Sequence, residues 1–129
     1  MPQIVRKVIS SSGAAFIRTT LTQLGGLIAT ILTGAGWIEI SAVVGVTSSY
    51  AGENTVNLTL YIDGVAQTQV PDGSSFVTLP QNGYRQIFLR AFARLGAGTH
   101  TFAVYGYSTQ DTANVISNLA YLVVTEVGY

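Results

Sequence analysis

Between Tyr84 and Leu95 the chain reads YRQIFLRAFARL, and this run constrains the fold more than any other. Ile87, Leu89, Ala91, Ala93 and Leu95 alternate with Phe88, Arg90, Phe92 and Arg94, the period of two that an extended strand imposes. The first set is a plain core face. The second sets two phenylalanines between arginines, which a fully wetted face seldom does. A strand apolar on both faces is usually covered on both, and in a chain of 129 residues the second cover is expected from another subunit. Leu95-Gly96-Ala97-Gly98 then supplies the backbone freedom of a tight reversal before a second extended run to Tyr107. The sequence therefore predicts a hairpin over 84–107.

The overall balance points the same way. Only 9% of residues are charged while 48% are hydrophobic, against a usual charged share of roughly 25%. So little charge leaves a poor supply of wetted surface, and burial between subunits relieves the shortage. Six basic residues offset six acidic ones, so nothing in the charge favours nucleic acid or an anionic membrane as partner. No cysteine is present, which excludes disulfides and thiolate metal sites. No apolar run approaches the ~18 residues of a membrane helix. Arg6, Lys7 and Arg18 leave no room for a signal-peptide core, so a soluble, unprocessed protein is expected.

Turn signals recur along the whole length with no long helical pattern between them. Residues 1–12 read as an N-terminal arm or a first strand, closed by the Ser10-Ser11-Ser12-Gly13 joint, and 13–129 as one domain. Ala14–Leu21 has strand character. Leu24, Leu27, Ile28, Ile31 and Leu32 sit at helical spacing, but Gly25-Gly26 and the β-branched content favour a strand over Leu27–Leu32. Trp37–Thr47 is apolar on both faces, with Ile38, Ile40, Ala42, Val44 and Val46 opposed by Trp37, Glu39, Ser41 and Val43. Thr55–Ile62 alternates cleanly into Asp63-Gly64, the strongest turn signal in the chain, and Val65–Val70 returns. Ser75–Leu79, Asn114–Ser117 and Leu119–Val127 complete an antiparallel sandwich.

No catalyst is legible. His100 is the single histidine, flanked by Thr99 and Thr101 rather than by a nucleophile or an orienting carboxylate, and reads as a strand histidine on a partly buried face. Asp63, Asp72 and Asp111 sit in turns, where Asp caps local backbone, and no D-x-D-x-D spacing suggests calcium. Gly34-Ala35-Gly36 and Gly96-Ala97-Gly98 are turns, each lacking the third glycine and following helix of a dinucleotide fingerprint. No cofactor or metal is expected. Tyr105 and Tyr107 share a strand face and could stack on a sugar ring. A core or subunit contact with the hydroxyl at the rim is the commoner use of such rings.

Taken together, Gly36-Trp37-Ile38, Asn57-Leu58-Thr59-Leu60-Tyr61-Ile62-Asp63-Gly64, Arg94-Leu95-Gly96-Ala97-Gly98-Thr99-His100-Thr101-Phe102 and Val115-Ile116-Ser117-Asn118-Leu119 form a pattern. It resembles the trimeric jelly-roll modules of the tumour necrosis factor and complement C1q type, especially versions in bacteriophage structural proteins. The resemblance covers 13–129. It implies an all-β, ten-strand jelly roll assembling as a homotrimer. One sheet, built from Ala14–Leu21, Trp37–Thr47, Ile87–Leu95 and Leu119–Val127, would face the threefold axis. Trp37, Glu39, Phe88, Arg90, Phe92, Arg94, Leu122, Val124 and Glu126 are the interface residues this implies, with Glu39 and Glu126 as partners for the arginines. No collagen-like repeat, cysteine or calcium cluster accompanies the pattern. A virion component, contacting itself and other virion proteins, is therefore a better expectation than a cytokine or complement role. Glycan binding through Tyr105 and Tyr107 is the alternative.

Overall fold

Alternation of apolar and polar side chains gives each segment one face to bury, and two sheets bury those faces against each other. The computed structural model describes residues 5–10, 15–68 and 72–128. Among these described residues ten strands follow in order: β1 (Val5–Ser10), β2 (Ala15–Ile17), β3 (Thr22–Thr33), β4 (Gly36–Ser48), β5 (Asn54–Ile62), β6 (Val65–Ala66), β7 (Ser74–Leu79), β8 (Tyr84–Leu95), β9 (Gly98–Ser108) and β10 (Ala113–Gly128). One sheet runs β1–β10–β4–β8, with β2 also on β10. The other runs β3–β9–β5–β6, with β7 also on β5. Every pairing is antiparallel.

The core lies between the sheets. Ile38, Ile40, Ala42, Val44 and Val46 of β4 and Ile87, Leu89 and Ala91 of β8 meet Val56, Leu58 and Leu60 of β5 and Phe102 and Val104 of β9. Gly106 stands opposite Leu58 in the β5–β9 ladder and leaves room for that side chain, since a Cβ there would stand 2.5 Å from Leu58 Cδ2. Asp63 and Gly64 both take positive φ, 51° and 81°, as the twist of a two-residue β5–β6 turn demands.

Several sequence expectations change. The hairpin expected over 84–107 is not one: β8 pairs with β4, whereas β9 pairs with β3 and β5 in the opposite sheet. The glycine-rich reversal bridges the two sheets instead. The strand expected over Ala14–Leu21 is limited to Ala15–Ile17, with residue 14 outside the described residues. Thr22–Thr33 is one strand through Gly25-Gly26, its register shifting between Gln23 and Ile28. The Val65–Val70 return stops at Ala66, and Val70 lies outside the described residues. The two C-terminal pieces are a single strand with a register shift between Val115 and Ala120. Of the N-terminal arm, Val5–Ser10 pairs with Tyr121–Glu126 along the edge of β10, while residues 1–4, 11 and 12 lie outside the described residues.

Candidate self-association surface

Residues directly opposite in an antiparallel pair share a face. Trp37 opposes Arg94, Glu39 opposes Phe92, Ser41 opposes Arg90 and Val43 opposes Phe88. On the far side of β4, Thr125 opposes Glu39, Val123 opposes Ser41 and Tyr121 opposes Val43. These residues form the outer surface of the sheet, because Ile38, Ile40, Ala42 and Val44 between them are buried in the core. Phe88 is 65% exposed, Trp37 47% and Phe92 45%, and Tyr84 and Tyr121 are also exposed on this surface. Rings left this open on one sheet face are the feature that needs a cover.

Electrostatics on the surface are partly self-contained. Arg90 Nη2 lies 3.4 Å from Glu39 Oε2, and its guanidinium carbon is 4.9 Å from the Phe92 ring centroid. An exposed pair of this kind contributes at most about 1 kcal/mol, but it holds the cation over the ring in an orientation that favours attraction. Arg94 has no ion-pair partner among the described residues.

Three expected interface residues fall elsewhere. Leu122 and Val124 are 0% and 2% exposed, since register sets them opposite the core residues Ala42 and Ile40. They are core, and Tyr121, Val123 and Thr125 are the outward residues of β10. Glu126 opposes buried Ile38, so it sits on the inward side of the sheet, where Oε1 accepts the Gly34 N–H at 2.7 Å. It is therefore not the partner of Arg94.

The other sheet's outer face is different in kind. Tyr105 packs against Tyr61 with ring centroids 4.2 Å apart, which occupies one of its faces. Tyr107 stays exposed beside Asn57, whose other neighbour is the exposed Phe76. Hydroxyl pairs at Thr55–Thr78, Thr59–Ser74 and Thr30–Thr101 occupy the cross-strand positions around them.

His100 has a partner that local sequence does not reveal. Asp63 Oδ2 lies 2.6 Å from Nδ1, and Oδ1 accepts the Thr101 N–H at 2.8 Å. Nε2 lies 2.7 Å from the Gly96 carbonyl oxygen. The Asp63 hydrogen bond, then that to Gly96, raises the His100 pKa. The bonds from His100 and from the Thr101 amide hold Asp63 below its ordinary value. With both ring nitrogens committed, the imidazole offers no free site for base catalysis. Among the described residues no three histidine or carboxylate side chains are grouped to hold a metal ion, and no helix is long and apolar enough to cross a membrane.

At the opposite end, Asn54 is fully buried and fully hydrogen-bonded. Its Nδ2 donates to Ser48 Oγ and the Gln110 carbonyl at 3.1 and 3.2 Å. Its Oδ1 accepts from the Gln110 N–H and Thr109 Oγ1 at 3.0 and 3.2 Å. Asn54 opens β5 one residue before the alternation of Thr55–Ile62 begins, and one Asn between Glu53 and Thr55 carries no periodic signal by which sequence reasoning could have found it.

No protein-family model matches the chain, and no curated protein matches it in sequence. Solved structures do match in shape. A chain of infectious bursal disease virus, Gx strain, superposes with a TM-score of 0.66 at 11% identity over 98% of this chain, which spans 34% of the viral one. The Eiger TNF from S. frugiperda gives 0.55 at 12% identity, covering 99% of this chain and 94% of that one. Murine APRIL gives 0.58 at 9% identity, covering 97% and 100%. At such identities the likeness establishes the fold: a TNF-like jelly roll.

Proposed function

We propose that the chain is a virion structural protein, working as a homotrimer whose subunits meet through the outer face of the β1–β10–β4–β8 sheet. The observation that carries this reading is the run of exposed rings Trp37, Phe88, Phe92 and Tyr121 on one sheet face. Burying such rings between subunits contributes about 25 cal/mol for each Å² of apolar surface removed from water. A threefold arrangement repeats that gain in every subunit. The role is adhesive and mechanical, as a capsid decoration or a fibre or tail component of a phage, and involves no chemical step. Viral chains stand among the solved structures of similar fold, which supports a virion setting. The test is mass spectrometry of particles purified from cells carrying the gene. The chain is expected there in copies divisible by three; particles that lack it would overturn the virion assignment.

A second reading rests on Tyr107, exposed beside Asn57 and Phe76 on a face whose cross-strand pairs are hydroxyl-rich. An aromatic platform beside an amide suits a neutral sugar. This reading expects weak, saturable oligosaccharide binding that disappears in Tyr107→Ala, and a titration without saturation removes it.

A further inference from the structure

Hydrogen-bond valence at His100 demands a proton count that neither neutral tautomer meets. The Gly96 carbonyl can only accept, so Nε2 must carry a hydrogen to bond it across 2.7 Å. An ionised Asp63 likewise only accepts, so Nδ1 must carry a hydrogen across 2.6 Å. Both contacts together require the imidazolium. If the ring loses one proton, a bare nitrogen lone pair is left facing either the carboxylate or the carbonyl, and one of the two bonds turns repulsive.

The two acceptors belong to different parts of the sandwich. Asp63 opens the β5–β6 turn, already fixed to β9 because its own N–H donates to the Thr101 carbonyl at 2.8 Å. Gly96 lies in the β8–β9 link, which crosses from one sheet to the other. His100 is the side chain joining them. We propose that His100 is a proton-operated clasp, holding the β8–β9 link against the β5–β6 turn while the ring is charged and releasing it when the ring is neutral.

Other groups at this end leave the proton to this pair. β3, whose Ile31 opposes His100, carries no titratable side chain. Phe102, on the same strand, sets its ring 6.5 Å from the imidazole and carries no charge. Glu126, from the facing sheet, is committed to the Gly34 amide, and Arg94, opposite Trp37 on β8, lies exposed on the outer surface. The clasp closes beside Arg94 and Trp37, the last row of the proposed subunit surface, yet it operates within one chain and does not depend on assembly.

The test is NMR of the whole chain, reading the His100 ring nitrogens and the Ala97 and Gly98 amides as pH is raised. Below the transition both ring nitrogens should give imidazolium shifts. Amide exchange of Ala97 and Gly98, corrected for its intrinsic pH dependence, should accelerate several-fold through the same transition. The Gly83 amide, bonded to the Pro80 carbonyl away from the clasp, should not change. In Asp63→Asn the transition should move to lower pH. If that variant does not fold, the unsubstituted chain alone decides. A neutral ring at pH 5, or Ala97 and Gly98 exchange unchanged through the His100 transition, overturns the proposal.

Discussion

Leu122 and Tyr121 are one step apart on β10, and that step decides whether a side chain packs in the core or waits for a partner. For Phe88, Phe92 and Trp37 the step was legible, because their strands alternate and the opposite residues are plainly apolar. For Leu122, Val124 and Glu126 it was not. The run Leu119–Val124 is apolar at almost every position, so periodicity offers no parity to read. Only the register against β4 assigns it. His100 and Asp63 are 37 residues apart, a separation at which no local spacing rule operates.

Their pairing makes a signed prediction. The raised His100 pKa gives stability that is present below its unfolded value of about 6.5 and lost as pH rises through the higher folded value. The lowered Asp63 pKa gives stability present above about 3.9 and lost as pH falls through the lower folded value. The pair therefore supports the fold most between about pH 4 and 6.5. Denaturant melts of the native chain minus those of Asp63→Asn should trace that window, with the difference shrinking as pH rises through the raised His100 value. At the far end, Asn54→Ala strands the Gln110 N–H and removes a donor from Ser48. Each orphaned buried group costs about 1–3 kcal/mol, so a drop in that range is expected from urea unfolding.

At the scale of elements, strand existence was legible, as were the β5–β6 hairpin and the grouping of β2, β4, β8 and β10 in one sheet, but the partners of β9 were not. β4 and β5 stand where alternation put them, within a residue at each end. The error at β8 and β9 has a physical cause. A glycine-rich reversal shortens the distance between two strands equally well within a sheet or across a sandwich. What separates the cases is which neighbours the inward residues find: Leu89 opposes Ala42, while Val104 opposes Leu60. β3 shows a related limit, since helical spacing of its leucines and isoleucines competes with the strand reading until β9 supplies a ladder. β1 makes the testable case. Its backbone covers the edge of β10 from Tyr121 to Glu126, and a bare edge is a template for unwanted pairing. A chain starting at residue 13 should melt several degrees lower and scatter light at high concentration. Unchanged melting and clear solutions would mean that the arm serves attachment alone.

For the molecule as a whole, one surface and one shortage have to be explained together. A chain with 9% charged residues leaves Phe88, Phe92 and Trp37 open on a single sheet face. Near a threefold axis those rings would meet copies of themselves, and Arg90, already paired with Glu39 over Phe92, would enter that seam without an uncompensated charge. Arg94 has no such partner among the described residues and belongs at the wetted end.

The molar mass of the purified chain in dilute buffer, by light scattering, tests this most directly when read beside two variants. The unsubstituted protein and Phe76→Asp, altered on the other sheet's outer face, should both give three times the 13.6 kDa chain mass. Phe92→Asp, which would bring three carboxylates into the seam, should give monomer or aggregate. A monomeric unsubstituted chain, or a Phe92→Asp trimer with unchanged melting temperature, would contradict the account.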